Sequence, residues 1–107
     1  MFQKTEFIWF DGKLVPWDQA QVHVLAHGLH YGTGVFEGIR AYACPDGSSA
    51  VFRLPEHSKR LVNSAKILGI DMPYTADEIS KAIVETVVAN KLSEGYIRPL
   101  AFAGEGD

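Results

Sequence analysis

Hydrophobic positions along this chain follow two rhythms, one short and strand-like, the other helical. Phe7, Ile8, Trp9 and Phe10 form an apolar run with strong strand character. Asp11-Gly12 follows, a dipeptide suited to a type I′ turn, and Lys13-Leu14-Val15 returns. Residues 6–15 therefore predict a hairpin. Residues 35–42 predict a strand with two faces, since side chains alternate along an extended backbone. Val35, Glu37, Ile39 and Ala41 share one face; Phe36, Gly38, Arg40 and Tyr42 share the other. Residues 45–49 read as a turn, and 50–54 as the short strand that closes a second hairpin.

The helical rhythm begins at Pro55, whose missing N–H is harmless at a helix start. Leu61, Ala65 and Leu68 fall on one stripe of a helix over 55–68, and Gly69 suits its C-terminal turn. Thr75 and Glu78 have the spacing of a capping box. The helix that follows repeats apolar positions at Ile79, Ala82, Ile83, Thr86 and Val87 and fades at Asn90. Gly95 breaks the chain. Residues 96–103 read as a last strand with Tyr96, Arg98 and Leu100 on one face, and 104–107 as a polar tail. Residues 16–21 form a polar connector. Residues 23–32 lack a clean period and predict an irregular segment with one helical turn.

Strands and helices are segregated in this order. The expected class is α+β, a mainly antiparallel sheet with two helices packed against it. With 107 residues, one domain is the default. Charged residues make up 21% and hydrophobic residues 47%, a globular balance that excludes wholesale disorder. Net charge is −3 and the ten Lys and Arg are scattered, so no basic stripe invites nucleic acid. The single cysteine, Cys44, rules out a disulfide within the chain and favours a cytoplasmic setting. No stretch approaches the roughly 18 apolar residues of a membrane-spanning helix, and the N-terminus lacks a signal-peptide pattern.

Candidate chemistry centres on arginine, which captures carboxylate or phosphate in a bidentate fork. Arg40 and Arg98 each share a strand face with a tyrosine, an arrangement that suits a small anion with an apolar part. Arg60 lies on the first helix, where it could reach a phosphate or simply face solvent. His23, His27 and His30 have helical spacing, but no cysteine or carboxylate completes a metal set there. No serine sits in a nucleophile-like context.

The segments Phe7-Ile8-Trp9-Phe10-Asp11-Gly12, His30-Tyr31-Gly32-Thr33-Gly34-Val35-Phe36-Glu37-Gly38-Ile39-Arg40, Phe52-Arg53 with Glu56-His57 and Arg60-Leu61, and Tyr96-Ile97-Arg98-Pro99-Leu100 occur in that order. Together they resemble the N-terminal small domain of branched-chain amino acid aminotransferases. These are fold-type IV enzymes that use pyridoxal 5'-phosphate. The resemblance implies that Arg60 binds the cofactor phosphate. It implies that Phe36, Gly38 and Tyr96 wall the substrate pocket, with Arg40 nearby. Arg98 would pair with the side-chain carboxylate of glutamate, and Tyr31 would reach a pocket across a dimer interface.

The resemblance also implies amino acid and 2-oxo acid substrates and a homo-oligomer of at least two copies. None of Lys4, Lys13, Lys59, Lys66, Lys81 and Lys91 matches the family's catalytic lysine. That lysine is expected beyond Asp107, in a C-terminal domain absent here, so residues 1–107 read as an incomplete small domain that is inactive alone. Two other readings stay open at this point. One is a relative of D-amino acid aminotransferase or aminodeoxychorismate lyase, and the other is a standalone binding or assembly module.

Overall fold

The computed structural model describes residues 4–104, so most of the expected polar tail, residues 105–107, lies outside the described residues. The first hairpin forms as read: β1 (Phe7–Phe10) pairs antiparallel with β2 (Lys13–Pro16), Phe10 facing Lys13. Asp11 and Gly12 both take positive φ, 49° and 104°, as a type I′ turn requires. A 3₁₀ turn, Trp17–Gln19, fills the start of the connector. The helical turn expected within 23–32 is α1 (His27–Tyr31).

The strand expected at 35–42 is divided into β3 (Gly34–Phe36) and β4 (Ile39–Ala43). The strand read at 50–54 is shorter, β5 (Ser49–Val51), because Leu54 already belongs to the first long helix. That helix is α2 (Leu54–Ile67), and the capped helix is α3 (Ala76–Ala89). The last strand is also divided, into β6 (Gly95–Ile97) and β7 (Leu100–Phe102). Among the described residues all pairings are antiparallel, in three sheets: β1-β2, β3-β7 and β5-β4-β6.

One residue explains both divisions. Gly34 pairs with Phe102 and Ile39 with Ile97, so the register is unchanged across the two breaks. Glu37 therefore stands opposite Pro99, and Gly38 opposite Arg98. The Glu37 N–H donates to the Pro99 carbonyl at 3.1 Å. Proline has no N–H to return that bond, so the ladder opens for two residues and then resumes. The predicted faces survive the gap: Glu37, Ile39 and Ala41 are buried, while Phe36, Gly38, Arg40 and Tyr42 are exposed.

The buried side of this ribbon packs on the helices. Ile39 (2% exposed), Leu61, Ile79 and Ile83 form the core, flanked by Val35, Val51, Leu54 and Ile97. Ser58 and Ser80 bridge α2 to α3 with a hydroxyl pair at 2.7 Å. Leu68 leaves the predicted apolar stripe and stays half exposed. The helix ends there: Ile70 N–H donates to Ala65 O and Gly69 N–H to Lys66 O, the Schellman pattern. Gly69 takes the left-handed φ of +76° that this turn demands. The capping box is present, with Glu78 N–H on the Thr75 hydroxyl and Thr75 N–H on the Glu78 carboxylate.

Asn90, where the apolar period fades, ties α3 to the first hairpin. Its carbonyl oxygen accepts from the N–H groups of Glu6 (3.0 Å) and Phe7 (2.8 Å). Its amide donates to the carbonyls of Phe7 (3.0 Å) and Thr86 (2.9 Å). Asn90→Ala strips two half-buried Phe7 backbone groups of their partners, and about 2 kcal/mol of stability is expected to go with them. Urea unfolding checks this; an unchanged midpoint would show that water replaces the side chain without cost.

Candidate active site

The exposed face of the divided ribbon carries the residues singled out in the sequence. Tyr96 lies opposite Arg40, and its hydroxyl reaches diagonally over Gly38. A Cβ built on Gly38 would lie 2.6 Å from that oxygen, inside van der Waals contact, so glycine makes room for the phenol. Arg98 stands opposite Gly38 and reaches diagonally in the same direction, over Phe36. Its guanidinium carbon lies 4.5 Å from the Phe36 ring centroid, a cation–π contact. One of its terminal nitrogens donates to the Tyr96 hydroxyl at 3.4 Å. Diagonal neighbours in an antiparallel pair sit far enough apart for long and aromatic side chains to meet in this way. Phe36, Gly38, Tyr96 and Arg98 thus form one strip, with Arg40 beside them on the same face.

The strip joins an apolar surface to a fixed positive charge. Phe36 and Tyr96 are about half exposed and can cover an aliphatic side chain. The planar guanidinium stacked on them can meet a carboxylate edge-on. A ligand with either ending therefore finds a complement on the same strip.

Between Phe36 and Gly38 the chain turns a carboxylate inward. Glu37 is 6% exposed. Its two oxygens accept from Arg60, Nε at 2.9 Å and Nη2 at 2.8 Å. His57 Nδ1 lies 2.8 Å from the same carboxylate and donates to it, since an ionised carboxylate only accepts. The Arg60 guanidinium, helped by His57, holds the Glu37 carboxyl below its usual range against the opposing effect of burial. Glu37 in turn pushes Arg60 further up. The Arg60 side chain remains 68% exposed. Glu37 engages the side edge of the guanidinium (Nε and Nη2), so the end edge (Nη1 and Nη2) still carries two parallel N–H groups for an anion.

Glu37 and His57 were not among the residues expected in the site. The signal was present: a carboxylate on the apolar face of a strand has to be paired, since burial of a lone charge is costly. His57 and Arg60, three apart on a helix, are neighbours on one face. Tyr31, by contrast, is not brought into the strip. It ends α1, is 74% exposed and packs against the His27 ring at a centroid distance of 4.5 Å. Exposed Val24, Leu25 and Leu29 surround it in sequence. His23 accepts from the Leu25 N–H, and His30 Nε2 lies 2.8 Å from the Val24 carbonyl. Among the described residues no cluster of three His, Cys, Asp or Glu could hold a metal ion, and no helix is long and apolar enough to cross a membrane.

A paired ribbon backed by two helices, with a charged aromatic strip on its open face, can be matched to known proteins. A family model described as amino-transferase class IV matches residues 34–107. The chain belongs to that family. Within it, the chain is 50% identical over 104 residues to a branched-chain-amino-acid aminotransferase of Pseudomonas aeruginosa, covering 97% of this chain and 34% of that protein. Its fold superimposes on the Escherichia coli branched-chain amino acid aminotransferase with a TM-score of 0.93 and 45% identity, over 97% of this chain and 34% of that one. A T.th. branched-chain amino acid aminotransferase complexed with N-(5'-phosphopyridoxyl)-L-glutamate gives 0.92 and 48%, over 97% and 34%. The chain spans about a third of the length of the curated relatives it matches.

Proposed function

We propose that this chain is the N-terminal small domain of a branched-chain aminotransferase. The whole protein would move the amino group of leucine, isoleucine or valine to 2-oxoglutarate. The observation that carries the reading is the Arg98 guanidinium stacked 4.5 Å over the Phe36 ring beside the Tyr96 hydroxyl. An enzyme with these two substrates has to accept an aliphatic side chain and a carboxylate in turn. Burying a leucine-sized side chain against aromatic walls is worth about 1.5–3 kcal/mol. The arginine at the same place offers the second partner and stays hydrated when it is not needed. Phe36, Gly38, Arg40, Tyr96 and Arg98 are the substrate residues in this proposal.

Pyridoxal 5'-phosphate fits the same account. The donor set on offer is one arginine with its side edge held by a carboxylate and its end edge exposed, which suits a phosphate monoester. Arg60 is the residue of this chain that would hold the phosphate. When bound, the cofactor supplies an electron sink that lets the amino acid Cα–H ionise. This chain's part is to bind and orient: Arg60 grips one end, and the strip fixes the amino acid side chain at the other. The proton at Cα is assigned to a lysine outside residues 1–107, and the 107-residue chain alone is proposed to be inactive.

Tyr31 belongs to the same proposal as a residue lent to a second copy's pocket. Its exposure, with Val24, Leu25 and Leu29, supports a homodimer docked on that face. A cytoplasmic location accords with the lone Cys44.

The test is an assay of the natural protein containing this chain, with pyridoxal phosphate and 2-oxoglutarate, comparing L-leucine with D-alanine as donor. Turnover with leucine and none with D-alanine is expected. The reverse preference would move the protein to the D-amino acid branch of the fold.

A further inference from the structure

Resting on the cofactor reading above, we propose that Glu37 is a positioning residue that fixes Arg60 for the phosphate monoester of the cofactor. Arginine has a long, freely rotating stem, and Arg60 stands largely in solvent. Left alone, it would have to be ordered each time an anion binds, at a cost to affinity. Glu37 removes that freedom. Its carboxylate is buried, on a residue whose backbone N–H is itself bonded to Pro99 O at 3.1 Å. Two parallel bonds of 2.9 and 2.8 Å set both the position and the plane of the guanidinium. His57 holds one carboxylate oxygen from the other side at 2.8 Å.

The geometry also decides which edge is spent. Side-edge binding by Glu37 leaves the end edge, whose two N–H bonds are parallel and match two oxygens of one phosphate. Two effects of Glu37 oppose each other. Its charge reduces the net attraction of Arg60 for an anion, while its grip pre-orders the guanidinium. The exposed end of Arg60 is screened by water, so the charge effect is weakened there. Orientation is left as the larger contribution.

The same backbone segment serves the substrate strip. Phe36, Glu37 and Gly38 are consecutive, and they respectively contact Arg98, Arg60 and Tyr96. The missing ladder bond at Pro99 lies at this segment. A shift of Glu37 toward Arg60 would thus be felt by both neighbours.

The experiment uses the natural protein freed of cofactor. Dissociation constants for pyridoxal phosphate and for pyridoxal are measured on the parent, Arg60→Ala, Glu37→Gln and His57→Phe, with thermal unfolding of each apoprotein alongside. The ratio of the two constants isolates the phosphate, because any bond to the aldehyde is common to both. Glu37→Gln keeps the shape, but its single oxygen can accept at most two of the three hydrogen bonds and its amide nitrogen meets a donor, so the phosphate preference is expected to fall about tenfold. The bound phosphorus resonance should broaden as the guanidinium loses its fixed place. His57→Phe should lower the preference about threefold, by loosening Glu37 alone; it carries the test if Glu37→Gln does not fold. An unchanged ratio in both variants, with Arg60→Ala still abolishing it, would leave Glu37 as a mere structural partner and overturn the proposal. A higher ratio in Glu37→Gln would overturn it too, since charge cancellation would then dominate. A parent protein with no preference for the phosphorylated form would instead sink the cofactor reading itself.

Discussion

Arg98→Met should split the two substrates proposed for the whole protein. The catalytic efficiency with glutamate is expected to fall about a hundredfold, in line with roughly 1.5–3 kcal/mol for a hydrogen-bonded charge. That with leucine should stay within about threefold, because methionine keeps an apolar stem over the Phe36 ring. The reason lies in where the charge sits. The guanidinium lies over the Phe36 ring and is hydrogen-bonded to Tyr96, so its position is set by the aromatic side chains of the strip. Removing it deletes the carboxylate partner and leaves the aromatic surface. Single-turnover measurements with each amino acid separate the two effects. An equal loss for both would mean that Arg98 mainly holds Tyr96 in place.

Gly38→Ala should cripple binding while sparing the fold. The new methyl carbon would stand 2.6 Å from the Tyr96 oxygen and 3.2 Å from two of its ring carbons. Relief comes most easily by swinging the phenol away, since it is the far end of a partly exposed side chain. The backbone at 38 can keep its conformation, so the stability change is expected to be small, within about 1 kcal/mol. The displaced tyrosine would carry Arg98 with it through their hydrogen bond. A shift of this size at reacting distance typically costs on the order of a hundredfold in rate. Catalytic efficiency with leucine and with glutamate should therefore fall together, unlike the Arg98 result. Wild-type kinetics in Gly38→Ala would show that the strip has room the geometry denies it.

Much of this was readable from residue order. The type I′ turn at Asp11-Gly12, the Thr75–Glu78 capping box and the Gly69 helix end are local, and local stereochemistry dictates them. The alternation through 35–42 correctly placed Phe36, Gly38, Arg40 and Tyr42 on one face, because period two holds whether or not a ladder bond is missing; the structure adds that this face is the exposed one. The division of that strand was hidden for the opposite reason. It is caused by Pro99, which lies more than sixty positions away in sequence (37 against 99) and matters only once the register is known. Tyr96 reaching over Gly38 is likewise a cross-strand relation. Glu37 was placed on the right face, yet its partners lie on a helix whose docking the strand pattern does not specify. The roles of Arg60 and Arg98 came from resemblance to a family. The structure adds the fork on one and the aromatic stack beneath the other.

One strip is proposed to serve both an aliphatic and an acidic substrate. Inhibition by a branched aliphatic acid such as 4-methylvaleric acid tests it most directly. It should be measured in single-turnover reactions of the natural protein with leucine and, separately, with glutamate. A shared strip predicts purely competitive inhibition in both reactions with the same inhibition constant. Competitive inhibition of leucine, with glutamate unaffected or inhibited with a different constant, would place the carboxylate elsewhere and contradict the account.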